Sequence, residues 1–273
     1  MNSSAPNEHQ TIHNGIEFLH SIEAIFRRCE EQTDAYLVGA LATGSITTHE
    51  HLGAVISFLD QASSCRWGCR GGDHAAEMLI GRCANYSMAA FRLARSGFYD
   101  EAITLIRSVG ENTNLAFLFF RDATELQHWR QASHKERRKS FSPAAVRKKI
   151  ESRSEPLPVD ASRYGQLSEK AIHVTPGIGP QMYNIERRAG SGGAFQELGL
   201  CFCLAELAYP LGILALAAVR LCGLEFTGHG TDLTNAGQAL SRSVAAVRER
   251  VNSLIPTYSS GMPPPSPGGS TVD

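Results

Sequence analysis

Apolar residues recur at three and four positions along almost the whole chain and nowhere alternate with polar ones, which predicts an all-α protein. The first helical pattern covers 12–41, with Ile16, Leu19, Ile22, Ile25, Phe26 and Cys29 expected on its inner side. A second starts at Thr47 or Thr48 and runs through Val55, Phe58 and Leu59 towards Cys65. Asp73 is placed to cap a third over 75–96, with Met78, Leu79, Cys83, Tyr86 and Phe91 inward. Gly97 turns the chain into a helix over 98–122, and a shorter one over 123–132 follows. Ser142-Pro143 opens another, since Pro suits the first helical position. Asp160 or Ser162 caps a helix over 163–174, which Pro176, Gly177 and Gly179 end. Two long helices close the pattern, 194–224 with a kink at Pro210, and 233–254. The expected organisation is one all-α domain over 12–255, with an N-terminal helical subdomain over 12–96. It is flanked by a disordered start (1–11) and a disordered Pro/Gly-rich tail (256–273).

The helix over 98–122 stands at the centre of this multi-helix bundle. Leu115 to Phe120 is apolar on every side and is expected to be buried. Yet at 100° per residue Asp100, Arg107, Glu111, Asn114 and Arg121 fall within a stripe roughly 80° wide. Burying such groups unpaired costs several kcal/mol, so they are expected to be paired or hydrated. An internal ion-pair network between helices is one reading, and the lining of a polar site is the other.

Composition changes this picture little. The chain has 273 residues, 42% of them hydrophobic, and a net charge of −1. That is enough for a large core, and no global field steers a partner. From Arg130 to Arg153, however, nine Lys or Arg face only Glu136 and Glu151, a local net of +7 that suits an anionic partner or an internal acidic mate. The seven cysteines are an odd number scattered through helical patterns behind a polar start, which suggests reduced thiols and a cytoplasmic location. The most apolar stretch is Leu198–Val219. Its uncharged part, Leu207–Val219, is 13 residues and too short for a bilayer, so a core helix and no membrane are expected.

Four groups carry candidate chemistry. His49, His51, Cys65, Cys69 and His74 include zinc-ligand types, with Cys65 and Cys69 four apart on one helix face, but they match no compact zinc motif, and buried thiols with surface histidines is the plainer reading. Gly190-Ser191-Gly192-Gly193 before a helix has the glycines of a phosphate loop without its strand or lysine. Arg137, Arg138, Lys139, Arg147, Lys148 and Lys149 are placed to track nucleic-acid phosphates, with Phe141 and Trp129 for stacking, against the alternative of a solvated charged face. Tyr164, Leu167, Ser168 and Ala171 share one helix face, and His173 stands at that helix's end. A histidine there suits proton transfer, and equally a helix-terminal cap.

The segments GFYDEAITLIRSVGENTNLAFLF, FSPAAVRKKI and YGQLSEKAIHVTP together resemble an uncharacterised bacterial family of helical proteins. That family is similar to the HEPN-like domains of bacterial toxins and abortive-infection systems. The resemblance covers about residues 97–175. It implies a dimeric, metal-independent ribonuclease in which a helix-end histidine assists 2′-hydroxyl attack and an arginine holds the phosphate. His173 matches the histidine. The arginine position falls on Ser168, a departure that leaves the phosphate without its cation unless Arg107 or Arg163 supplies it. Arg121 and His128 also satisfy the bare spacing. The resulting expectation is a HEPN-like, nucleic-acid-directed defence or toxin-type protein, with RNA as partner, a homodimer as assembly and no cofactor. Its expected site is His173, Arg107, Glu111, Ser168 and Tyr164. The alternative is a non-catalytic helical interaction or regulatory protein, and a zinc-binding module is third.

Overall fold

The computed structural model describes residues 15–67, 72–171 and 193–260. Among them are ten α-helices and no strand, so the all-α expectation holds. They are α1 (Gly15–Ala42), α2 (Thr48–Ser63), α3 (Ala75–Arg95), α4 (Tyr99–Arg121), α5 (Ala123–Gln131), α6 (His134–Ser140), α7 (Pro143–Glu151), α8 (Ala161–Ala171), α9 (Glu197–Leu221) and α10 (Gly228–Ser260).

The starts of these helices follow local chemistry. Asp122 accepts the Thr124 amide, and Ser142 accepts the Ala145 amide ahead of Pro143. Asp160 accepts the Arg163 amide at 2.8 Å. Helix α6 is a separate element that the apolar periodicity does not predict. A local signal for it is nonetheless present, because Ser133 accepts the Glu136 amide at 3.2 Å in a Ser-x-x-Glu capping pattern. Helix α10 starts earlier than the apolar pattern, since the Thr227 hydroxyl accepts the Gly230 amide at 3.0 Å. It also runs to Ser260, beyond the expected helix end at 254. Residues 1–14 and 261–273 lie outside the described residues.

The core is built around α9. Its buried residues run from Leu198 to Ala218 and span roughly 260° of the helix at about 100° per residue, leaving a strip with Glu206, Tyr209 and Arg220, and Pro210 sits inside it without ending it. By length and composition α9 is apolar enough to cross a membrane, but 72% of its apolar window is covered by the protein itself. Helices α2, α3, α4 and α10 supply that cover. Helix α4 is the second buried element. It packs on α3 and α9 with one side and receives α5, α7 and α8 on the other. Helix α1 leans on α3, and of its expected inner residues Cys29 is buried while Ile16, Leu19 and Ile25 stay exposed. Met78 is exposed as well, because the buried ridge of α3 is Ala76, Leu79, Ile80, Cys83, Ala84, Ser87, Ala90 and Ala94.

Helices α9 and α10 meet at a glycine crossing. A Cβ on Gly237 would stand 2.7 Å from the Cβ of Ala215 and 3.2 Å from the Gly212 carbonyl oxygen. Neither neighbour is the tip of a flexible side chain, so the helices would have to separate. Gly237→Val is therefore expected to destabilise the fold by about 1–3 kcal/mol. A thermal melt with an unchanged midpoint would show that this crossing is not tight.

Candidate functional site

The polar stripe on α4 faces the segment that links α7 to α8 and the first turn of α8. Arg121 donates through Nε to Glu155 at 2.8 Å. Asn114 is 4% exposed and uses both ends of its amide on one residue. Its Nδ2 donates to the Val159 carbonyl at 2.8 Å, and its Oδ1 accepts the Val159 amide at 2.9 Å. Gly110, one turn earlier, leaves room for the Val159 side chain, since a Cβ there would stand 3.1 Å from Val159 Cγ2. Arg107 pairs with Glu111 at 3.0 Å within α4. The stripe is thus neither a helix-to-helix ion-pair network nor a bare surface. It is a seat for residues 155–164.

Tyr164 is the first side chain of α8 to reach this seat. The guanidinium carbon of Arg107 lies over its ring at 4.3 Å and that of Arg147, on α7, at 4.5 Å. Three helices therefore bring two cations to one aromatic face system, a geometry in which the ring quadrupole attracts each cation. Glu111 is the acid against them. Burial lifts its carboxyl above the ordinary value, and the charges of Arg107 and Arg147 pull it part of the way back. Two cations against one carboxylate leave a positive surplus. The Nε of Arg107 and the Nη1 of Arg147 are also buried without a hydrogen-bond partner among the described residues.

Ser168 is the residue that the resemblance sets where an arginine is expected. It is buried, and its hydroxyl donates to the Tyr164 carbonyl at 2.8 Å, one turn back along α8. His173 lies outside the described residues, as do Gly190, Ser191 and Gly192. The structure therefore brings Arg107, Glu111 and Tyr164 together, adds Arg147, and sets Ser168 behind Tyr164. In the sequence Arg147 reads as part of a basic run, and no spacing ties it to Arg107. Arg121 and His128 are engaged elsewhere. Arg121 holds Glu155, and His128 holds Glu136 at 2.9 Å.

The basic segment divides in two. Lys149 pairs with Glu125 at 2.5 Å, and Arg153 reaches Asp122 at 2.8 Å and Glu125 at 3.0 Å. Arg137 donates to the Trp129 carbonyl at 3.5 Å. These are internal acidic or carbonyl mates that lock α5 to α6 and α7. Arg138, Lys139 and Lys148 are exposed and have no carboxylate partner among the described residues. Phe141, expected as a stacking surface, is buried against Phe119, and Trp129 packs on Phe119 as well.

Among the described residues no three His, Cys, Asp or Glu groups converge to hold a metal. Cys65 and His74 approach to 4.0 Å, while His49 and His51 stand at the opposite end of α2. At 1.5 Å per residue the helix keeps His51 roughly 20 Å from Cys65. Helix α2 also ends at Ser63, so Cys65 falls in a 3-10 turn and not on the expected helix face. Cys69 lies outside the described residues. A cavity of about 740 Å³ lies between α1, α9 and α10. Its polar groups satisfy one another, with the Tyr36 hydroxyl donating to Glu197 at 2.8 Å and Arg250 Nε at 2.6 Å.

Two measurements test this site. Asn114→Leu leaves the Val159 amide and carbonyl unpaired in a buried position, and is expected to cost about 2–4 kcal/mol. An unchanged denaturation midpoint would mean that water replaces the clamp. Glu111 carries a pH dependence. Its raised folded pKa means that the native state holds this proton more firmly than the unfolded chain. The resulting stability is fully present below the ordinary value of 4.5 and is lost as pH rises through the folded value. Glu111→Gln, which mimics the protonated form, is expected to keep or raise Tm at pH 7 and to flatten this part of the stability–pH curve. A fall of several degrees at pH 7 would show instead that the carboxylate charge is what holds Arg107 and Arg147 over Tyr164.

The chain matches no family model, no curated protein and no solved structure, so the reading of this site rests on its own residues.

Proposed function

We propose that the protein is a nucleic-acid-directed helical protein that binds RNA at the α4–α7–α8 face. Arg107 and Arg147 hold a backbone phosphate beside Tyr164, and the exposed Arg138, Lys139 and Lys148 add sequence-independent charge. The observation that supports this reading is the pair of guanidinium groups over Tyr164, whose buried N–H donors lack acceptors among the described residues and whose charge exceeds that of Glu111. A phosphate oxygen satisfies both needs, because guanidinium–phosphate bonds are charge-assisted and planar. The HEPN-like resemblance adds the role of His173, which follows α8 directly. It is the proton carrier of a metal-independent cleavage, with Arg107 or Arg147 supplying the cation that Ser168 cannot.

A second reading is a non-catalytic interaction protein whose polar stripe is purely a strut. The Asn114–Val159 clamp and the back-bonded Ser168 favour it, since both hold the chain in place.

The test is binding and cleavage of a short single-stranded RNA in EDTA. Wild-type binding is expected to weaken steeply with salt. Arg147→Gln and Arg107→Gln are each expected to weaken binding at low salt and to reduce the salt slope by roughly one charge. His173→Ala is expected to lower cleavage by roughly 10²–10⁴-fold while binding persists. Absent or arginine-independent RNA binding would give the interaction-protein reading. Cleavage that survives His173→Ala, or that EDTA abolishes, would overturn the catalytic assignment.

A further inference from the structure

Arg163 is the neighbour of Tyr164 on α8 but turns to a different set of helices. Its Nε donates to Glu206 of α9 at 2.7 Å, and both side chains are largely buried. Its guanidinium carbon lies over the ring of Tyr209 at 4.1 Å. Arg248, from α10, lies over the same ring at 4.9 Å. The arrangement repeats, with different helices, the two-cation, one-tyrosine, one-carboxylate chemistry at Tyr164.

This second cluster opens onto a cavity of about 370 Å³ between α8, α9 and α10. Arg163 and Arg248 both line it. The Nη2 of Arg163 is buried without a hydrogen-bond partner among the described residues, because Glu206 occupies only the Nε edge of the fork. Arg248 has no carboxylate partner among the described residues. Burial, and secondarily the charge of Arg163, make its charged form less favourable than usual, and the nearby carboxylate of Glu206, which also lines the cavity, offsets this only in part. Asp160 also reaches the cavity, but it is exposed and its Oδ1 is engaged by the Arg163 backbone amide at the start of α8. The remaining wall has two characters. Ser162, Gln166 and Asn252 offer neutral polar groups, and Phe202, Val251 and Ile255 offer an apolar surface.

We infer that this cavity binds a small organic oxyanion, a carboxylate or phosphate on an apolar body of about one aromatic ring. Its oxygens are held between Arg163 Nη2 and the Arg248 guanidinium, and its body lies against Val251 and Ile255. Each feature of the cavity has a role in that complex. The anion supplies an acceptor to the free Nη2 edge of Arg163 and a direct contact to Arg248, whose charge Glu206 offsets only in part. Charge-assisted bonds of this kind are the strong ones. The volume lies within the usual span of small-molecule sites, which combine an apolar lining with a few fixed polar groups. Glu206 orients Arg163 without consuming its free edge. The site shares only α8 with the proposed RNA face, and neither depends on the other.

The experiment is isothermal titration of the full chain with phenyl phosphate, benzoate, inorganic phosphate and benzyl alcohol. Saturable binding of phenyl phosphate or benzoate is expected. The phosphate-against-benzoate arm identifies which oxyanion is preferred. Inorganic phosphate is expected to bind more weakly for want of the apolar contact, and benzyl alcohol for want of charge. Arg248→Gln is expected to weaken the preferred ligand about 10–100-fold, the range of a lost charge-assisted bond. Arg248→Lys is expected to retain part of the affinity, and it serves as the readout if the glutamine variant does not fold. Failure of both organic anions to bind overturns the inference. So does equal binding of benzyl alcohol, or affinity undiminished in both Arg248 variants.

Discussion

Helix α9 has only a narrow strip, with Glu206, Tyr209 and Arg220, to give to water. Leu198, Gly199, Leu200, Cys201, Cys203, Leu204 and Leu207 are all buried, and at about 100° per residue they span roughly 260° of the helix. Leaving a single buried leucine exposed costs about 1.5–3 kcal/mol, so α9 has to be enclosed for the chain to fold. Helices α2, α3, α4 and α10 enclose it, and this requirement sets the architecture. The small residues on α9 and α10 then fix how closely the wall can approach. Gly212, Ala215 and Gly237 meet where the two longest helices of the C-terminal half cross.

Once α4 is committed to α9 and α3 on its apolar side, its other side must deal with Arg107, Glu111, Asn114 and Arg121. The chain does this by laying residues 155–164 along the stripe. Each stripe residue finds a different kind of partner. Arg121 finds a carboxylate, Asn114 finds a backbone amide and carbonyl, and Arg107 finds Glu111 and an aromatic ring. Hydrogen bonds that satisfy a buried backbone peptide are costly to lose, which makes Asn114 the fixed point of this surface. From that fixed point the start of α8 is positioned, and with it both Arg163 and Tyr164.

Helix α8 thereby links two chemically similar clusters. In each, a tyrosine ring receives two guanidinium groups from separate helices and a single carboxylate stands beside them. The aromatic ring lets two like charges share a small, half-buried space that would otherwise repel them. What remains is three buried donors, Arg107 Nε and Arg147 Nη1 in one cluster and Arg163 Nη2 in the other, without an acceptor among the described residues. Such groups are uncommon in folded proteins, and they are what motivates the two proposed anion sites.

Much of the fold was legible in the sequence. The three-and-four periodicity determined the helical class, and the starts at Ser142 and Asp160 determined where two of the helices begin. The apolar run from Leu198 to Val219 marked the core helix, and the line of Arg107, Glu111 and Asn114 marked a helix face that needed partners. These are properties of a few adjacent residues, and local backbone chemistry carries them. The partners were not legible. Nothing in the spacing joins Asn114 to Val159, Arg147 to Tyr164, or Arg248 to Tyr209. Nor could the basic run be sorted by sequence, since Lys149 and Arg153 turn to α5 while Lys148, between them and Arg147, stays exposed. Those pairings depend on which helices α9 gathers around itself and at what crossing. The sequence by itself determined which side chains required a partner; only the tertiary structure decided which partner each received, because contact across helices is set by packing and not by distance along the chain.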